Sequence, residues 1–302
     1  MSAATSPLAT SAGVRHAAPP LLAVLLIAGV GMGAVVATAF GLMPLYGQPE
    51  LSADGWRLNR SDLLLGVRET LLIATASTAL ACLIGLLVAS LVLTAGPGAR
   101  LVRAAAVIVL AVPHLVGAVS VDLLLRDAGL AERAALAAGD PGALSEGGWP
   151  RLVGGPWSVA TIAELAWKES AFVALVVVAT LGAAHAARTE TAAALGAAPF
   201  QRWSRVLVPA SLPAVGAAGL IVFVFTVGNY EVAWLLGRAY PEPLPVLAYR
   251  LFGSVDLGDR PAAAAAAVVT AALALGVAAI ASSLLPRLAA ALGRGVGAGG
   301  AR

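Results

Sequence analysis

Six stretches of this 302-residue chain carry no charged side chain: 17–49, 70–99, 104–121, 170–187, 206–230 and 261–286. Crossing the hydrocarbon of a bilayer takes about 20 apolar residues in a helix, so each stretch can hold one span, with flanking residues completing the shorter ones. Hydrophobic residues make up 60% of the chain and charged residues 12%, against about 25% charged in a soluble domain. The expected fold class is therefore an all-α polytopic membrane protein with six transmembrane helices. The first run is a poor cleavable signal: some twenty residues precede it, and its apolar part from Leu21 to Phe40 exceeds the usual 7–15-residue core of such peptides. The single cysteine, Cys82, falls in the second span and excludes an intrachain disulfide. His16, His114 and His185 are scattered, so no metal site is expected, and no cofactor.

Orientation follows from charge. With the N-terminus in the cytoplasm, the inner segments are 1–20, 95–103, 185–210 and 286–302. They carry Arg15, Arg100, Arg103, Arg188, Arg202, Arg205, Arg287, Arg294 and Arg302, with Glu190 as their only acid. Basic residues near span ends favour the cytoplasm. The outer segments hold a similar number of basic residues, so the assignment leans on the absence of inner acids. The expected location is the cell (inner or plasma) membrane, multi-pass, with both termini cytoplasmic.

The inner segment between the fourth and fifth stretches has its own pattern. Glu190-Thr191-Ala192-Ala193-Ala194-Leu195-Gly196-Ala197 leads through Gln201-Arg202-Trp203-Ser204-Arg205 to Val206-Leu207-Val208-Pro209. Alanines favour a smooth helix, the glycine permits a sharp reversal, and a lone carboxylate can pair with a partner's arginine. The plain alternatives are an alanine-rich linker, and a Glu190 that serves only the N-terminal dipole of its own helix. At this spacing Glu190, Ala192, Gly196, Val206 and Pro209 resemble the EAA loop of binding-protein-dependent ABC importer permeases. Thr191, Leu195 and Val208 depart from that pattern. The resemblance implies a docking helix for a separate ATPase: Glu190 as charged anchor, Thr191, Ala192 and Ala193 on the docking face, Gly196 as turn, and Trp203 and Pro209 seating the loop and starting span five.

The resemblance extends over about 68–285. Arg68-Glu69-Thr70-Leu71 looks like the opening of the permease domain, Val112-Pro113 like the proline that interrupts its next helix, and Trp167-Lys168-Glu169-Ser170-Ala171-Phe172 like the approach to the loop. Phe225-Thr226-Val227-Gly228-Asn229-Tyr230-Glu231-Val232, with Leu235-Leu236-Gly237, is similar to the branch that imports polyamines, ferric iron, thiamine and phosphonates. The implied organisation is a cytoplasmic tail 1–20, a first span with its outer loop 21–67, the type I permease domain 68–285 and a cytoplasmic tail 286–302. The implied partners are ABC ATPase subunits, a second permease subunit (the same chain or another), an extracytoplasmic solute-binding protein and membrane lipid, with no nucleic acid.

Polar residues within spans are costly and often functional. Asn229, Tyr230 and Glu231 cluster where a translocation path would open outward, and His114 beside Pro113 lies mid-span, as a packed neutral imidazole or a path residue. Asp122 can pair with Arg126 one turn on, and Glu164 with Lys168 at the outer end of span four. Lys168, the sole lysine, is expected at the outer face. No Gly-x-Ser-x-Gly elbow, His-Glu-x-x-His or phosphate loop occurs, so no catalytic residues are assigned and energy must come from a partner or a gradient. A gradient-driven secondary transporter is the alternative; it predicts broken spans with midplane ionisable groups and inverted repeats. An intramembrane enzyme would need a catalytic set that is missing.

Overall fold

The computed structural model describes residues 7–94, 98–139 and 149–298, with side chains defined outside 7–17, 183 and 285–298. Every regular element among them is helical: α1 (Pro7–Ala39), α2 (Asp54–Arg57), α3 (Arg60–Thr94), α4 (Ala99–Ala111), α5 (His114–Leu125), α6 (Leu130–Ala137), α7 (Val159–Ala194), α8 (Pro199–Arg202), α9 (Val208–Gly228), α10 (Glu231–Leu236), α11 (Leu244–Phe252) and α12 (Arg260–Ala298). Four helical stretches, 18–39, 60–94, 199–228 and 257–284, are long and apolar enough to cross a membrane unaided. Two bent pairs, 99–111 with 114–137 and 159–182 with 184–194, bring the total to six when each counts as one span. Each of the six uncharged stretches of the sequence overlaps one of these helices or bent pairs.

One boundary differs from expectation, and two breaks in the helices add detail. Residues 1–20 read as a tail, yet α1 is helical from Pro7 with Pro19 and Pro20 inside it; a proline removes a hydrogen bond without obliging the helix to end. The loop 126–157 contains α6, and Trp149 ties it back by donating its indole N–H to Leu125 O at 3.1 Å; its residues 140–148 lie outside the described ones. In the fifth stretch α9 stops at Gly228, and a separate helix, α10, starts at Glu231. Asn229, one residue before the Tyr230 cap of α10, supports the restart, its Oδ1 accepting from Val232 N–H at 3.2 Å.

The chain divides into two compact units, Met1–Arg60 with Ala248–Val268, and Ser61–Leu247 with Val269–Arg302. In the first, the Trp56 ring lies 5.5 Å from that of Phe40 and its N–H donates to Ala39 O. Gly55 packs so closely on Pro261 that a Cβ would stand 2.8 Å from its carbonyl carbon, and the Arg260 guanidinium lies 4.0 Å over the Phe252 ring.

The second unit is organised around α7. One apolar cluster joins Ala81 and Ala89 of α3, Val173, Ala174, Val177 and Leu181 of α7, and Ala214, Ala218 and Val222 of α9. Another joins Ile73 of α3, Ala118 of α5, Ala160 and Leu165 of α7, and Val232 and Leu236 of α10. Alanines make up half of the first cluster, which lets helix backbones approach where water supplies no driving force. Gly85 is one such point, where a Cβ would meet Val173 at 2.7 Å. Arg68 to Leu71 do not open α3, which already begins at Arg60. Instead, buried Glu69 pairs with Arg238, Thr70 Oγ1 accepts from Leu244 N–H at 2.9 Å, and Asp62 accepts from Tyr240 Oη at 3.2 Å, so three side chains of α3 pin residues 238–244.

Candidate functional site

The segment from Ala184 to Pro209 is a bent helix, a turn and a return. Gly182 departs from helical geometry (φ 29°, ψ −125°), and α7 turns by 70° there. The continuation to Ala194 ends in a Schellman turn: Ala197 N–H donates to Ala192 O and Gly196 N–H to Ala193 O, both at 2.9 Å. Gly196 takes the left-handed conformation this turn needs, φ +83°, with open space where a Cβ would point. Pro199 then opens α8, where the missing N–H costs nothing, and Gln201 Oε1 accepts from Ala198 N–H at 3.0 Å. Trp203–Leu207 is a π turn in which Val208 N–H reaches back five residues to Trp203 O. Pro209 follows it and supplies no donor for a regular bond to the residue four back.

Trp203 fixes this return to α3. Its indole N–H donates to Ser90 Oγ at 3.0 Å, Ser90 Oγ donates to Leu86 O, and its ring stacks 5.8 Å from Phe200. A cavity of about 410 Å³ is lined by His185, Thr189, Glu190, Ala193, Arg202 and Trp203 among others. Glu190 is exposed and makes no ion pair among the described residues. It stands four residues before the C-terminus of α7, the negative end of the dipole, so the reading in which it serves its own helix N-terminus fails. Thr191 returns its hydroxyl to Ala187 O at 2.9 Å. Ala192 is half-buried, Ala193 and Pro209 are exposed, and at the tip Leu195 and Phe200 stand 84% and 73% exposed. Buried His185 holds Thr189 Oγ1 at 3.2 Å, and its pKa falls below the usual histidine value through burial and the nearby Arg188 charge.

The second constellation lies where the third span breaks. Pro113 has no N–H, so Val109 O lacks the helical donor four residues on, and Val112 O is stranded as α5 restarts at His114. Lys168 of α7 answers both. Its Nζ donates to Val109 O at 3.1 Å and to Val112 O. The expectation of Lys168 at the outer face is thus corrected: it is buried, roughly 14 Å along α7 from Val159 at 1.5 Å per residue. Nor does Lys168 pair with Glu164. That carboxylate is wholly buried against α5, with Oε1 3.5 Å from His114 Nδ1, and it occupies the notch left by Gly117, where a Cβ would come within 2.5 Å of it. His114 Nε2 lies 3.2 Å from Glu169 Oε1, so the imidazole sits between two carboxylates instead of bonding a carbonyl as a packed neutral group.

His114, Asn229, Tyr230 and Glu231 all line one cavity of about 500 Å³, together with Val224, Phe225 and Gly228. The break between α9 and α10 and the break between α4 and α5 bring them together. Sequence reasoning paired Asp122 with Arg126, which the structure shows at 3.6 Å, but missed Glu164, Glu169 and Lys168 as one cluster with His114. Pro113 was the available signal: a proline inside a span strands carbonyls, and a lysine in another span is the natural donor.

No protein-family model and no curated protein matches the sequence. Solved structures do. A chain of a bacterial ABC transporter involved in the import of the acidic polysaccharide alginate superposes with a TM-score of 0.69 at 18% identity, covering 91% of this chain and 95% of that one. The bacterial alginate ABC transporter in complex with an alginate pentasaccharide-bound periplasmic protein gives 0.67 at 17% identity over 91% and 94%. An amino acid ABC transporter with histidines gives 0.52 at 18% identity over 76% and 96%. The chain is an all-α polytopic protein with the fold of these ABC transporter chains.

Proposed function

We propose that this chain is the permease subunit of an ATP-driven type I ABC importer in the cell membrane. It would form the translocation path with a second permease, couple to a cytoplasmic ATPase through 188–209, and receive solute from an extracytoplasmic binding protein. The observation that carries the reading is the docking segment on a shared fold: a carboxylate with no ion pair among the described residues and two uncovered apolar side chains, presented by a turn that Gly196 closes and Trp203 anchors. ATP-driven closure of the ATPase pair would move this segment as a body, because the indole bond to Ser90 transmits its displacement to α3, and two arrangements of the bundle would then alternate access. The 68–285 region would carry this function between cytoplasmic tails. Its substrate is a small ion or polar solute such as a polyamine, iron, thiamine or a phosphonate.

The test is co-purification with the co-encoded ATPase. Truncating one side of a docked charge pair costs roughly 2–5 kcal/mol, so Glu190→Ala should weaken association about tenfold or more, and Glu190→Arg further, with membrane insertion unchanged. Undiminished ATPase yield with Glu190→Arg would remove the anchoring role.

One observation favours a gradient-driven carrier: the broken span beside half-buried His114 and buried Glu164 and Lys168. Uptake that survives ATP depletion and collapses with an ionophore would support that reading. The shared fold and the docking segment favour the importer.

A further inference from the structure

The cavity of about 500 Å³ has a charge balance that its own residues do not settle. Glu231 lines it directly, and His114, another lining residue, is backed by Glu164 at 3.5 Å and Glu169 at 3.2 Å. A neutral imidazole has one N–H and serves one carboxylate; a protonated one serves both. Lys168 directs its Nζ to the carbonyls of Val109 and Val112. Three carboxylates therefore face at most two cations, whichever form His114 takes. Glu164 makes the excess acute, because both its oxygens are buried and neither accepts a hydrogen bond among the described residues. A buried carboxylate that shares one imidazole with a second carboxylate is poorly compensated, and a cation in the cavity lowers that cost.

The rest of the wall narrows the cation. The rings of His114 and Phe225 lie 5.0 Å apart and Tyr230 joins the same lining, and aromatic faces attract ammonium groups. Among the described residues no three His, Cys, Asp or Glu side chains converge as metal ligands. The volume falls within the roughly 300–1,000 Å³ of small-molecule sites. We propose that this cavity is a binding site for a small organic cation carrying an ammonium group and that it rejects anions. The proposal rests on the permease reading, and within it selects ammonium-bearing solutes over phosphonates and iron.

The test titrates putrescine, choline and methylphosphonate calorimetrically into the full-length chain with its ATPase in nanodiscs of zwitterionic lipid. The expected result is binding of putrescine or choline, none of methylphosphonate, and weakening of cation binding by about tenfold or more in Glu231→Gln. Glu231 is exposed in the cavity, and the cation–anion comparison needs no variant, so a folding defect cannot mask the answer. Methylphosphonate bound as tightly as the amines, no binding of either amine, or amine affinity unchanged in Glu231→Gln would each overturn the proposal. Selective amine binding by a chain that fails to retain the ATPase would instead count against the importer reading while upholding the site.

Discussion

Gly196 is held at φ +83° with nothing within 4 Å of a would-be Cβ, so the cost of replacing it in the isolated chain is conformational and not steric. Left-handed geometry costs a residue with Cβ about 1–2 kcal/mol. Gly196→Val should leave the chain inserted but lower ATPase stimulation in proteoliposomes, while Gly196→Asn, which tolerates this conformation better, should be milder. Equal, wild-type stimulation in both would exclude Gly196 as a coupling turn. His185 makes the same segment sensitive to pH. Its folded pKa lies below the ordinary value of about 6.5, so the unfolded segment binds more protons. Its contribution to stability is therefore complete above about pH 6.5 and is lost as pH falls below it. Amides of 186–196 should exchange faster at pH 5.5 than at 7.5 after correction for intrinsic rates, and His185→Gln should flatten that difference.

At the scale of helices, the break between α4 and α5 depends on Lys168 from α7. Replacing Lys168 with Met strands Val112 O, at about 1–3 kcal/mol, and leaves Val109 O with only the Val112 N–H at 3.3 Å, so it should lower the unfolding temperature in detergent. Pro113→Ala supplies Val109 O with a backbone donor, so the double variant should lose less stability than the two single losses added together; strict additivity would show that the lysine does not serve the break. Pro113 was readable as an interruption of the span, and Gly196 as a turn, because each acts through its own backbone. Lys168 was not readable, since its placement depends on which helix packs across the gap. The same holds for Glu164, whose burial requires the notch at Gly117 on another helix.

For the whole chain, the testable consequence is topology. Six spans with cytoplasmic termini predict that, in a Cys82-free background, a cysteine at Ser52 is labelled from outside and one at Ala197 only after permeabilisation. External labelling at Ala197 would overturn the topology and the docking reading with it. The approximate position of the apolar helices was set by the sequence alone, because the absence of charge over bilayer length leaves a helix as the way to satisfy the backbone in lipid. The turn at Gly196 was set likewise by local geometry. Tertiary structure decided that Asn229, Tyr230 and Glu231 share a cavity with His114, more than a hundred residues away in sequence. It also decided that Lys168 caps a broken helix while Glu164, among the described residues, keeps only its contact with His114. Those outcomes depend on side chains from separate helices competing for the same few donors in a medium without water, and no local pattern encodes which of them wins.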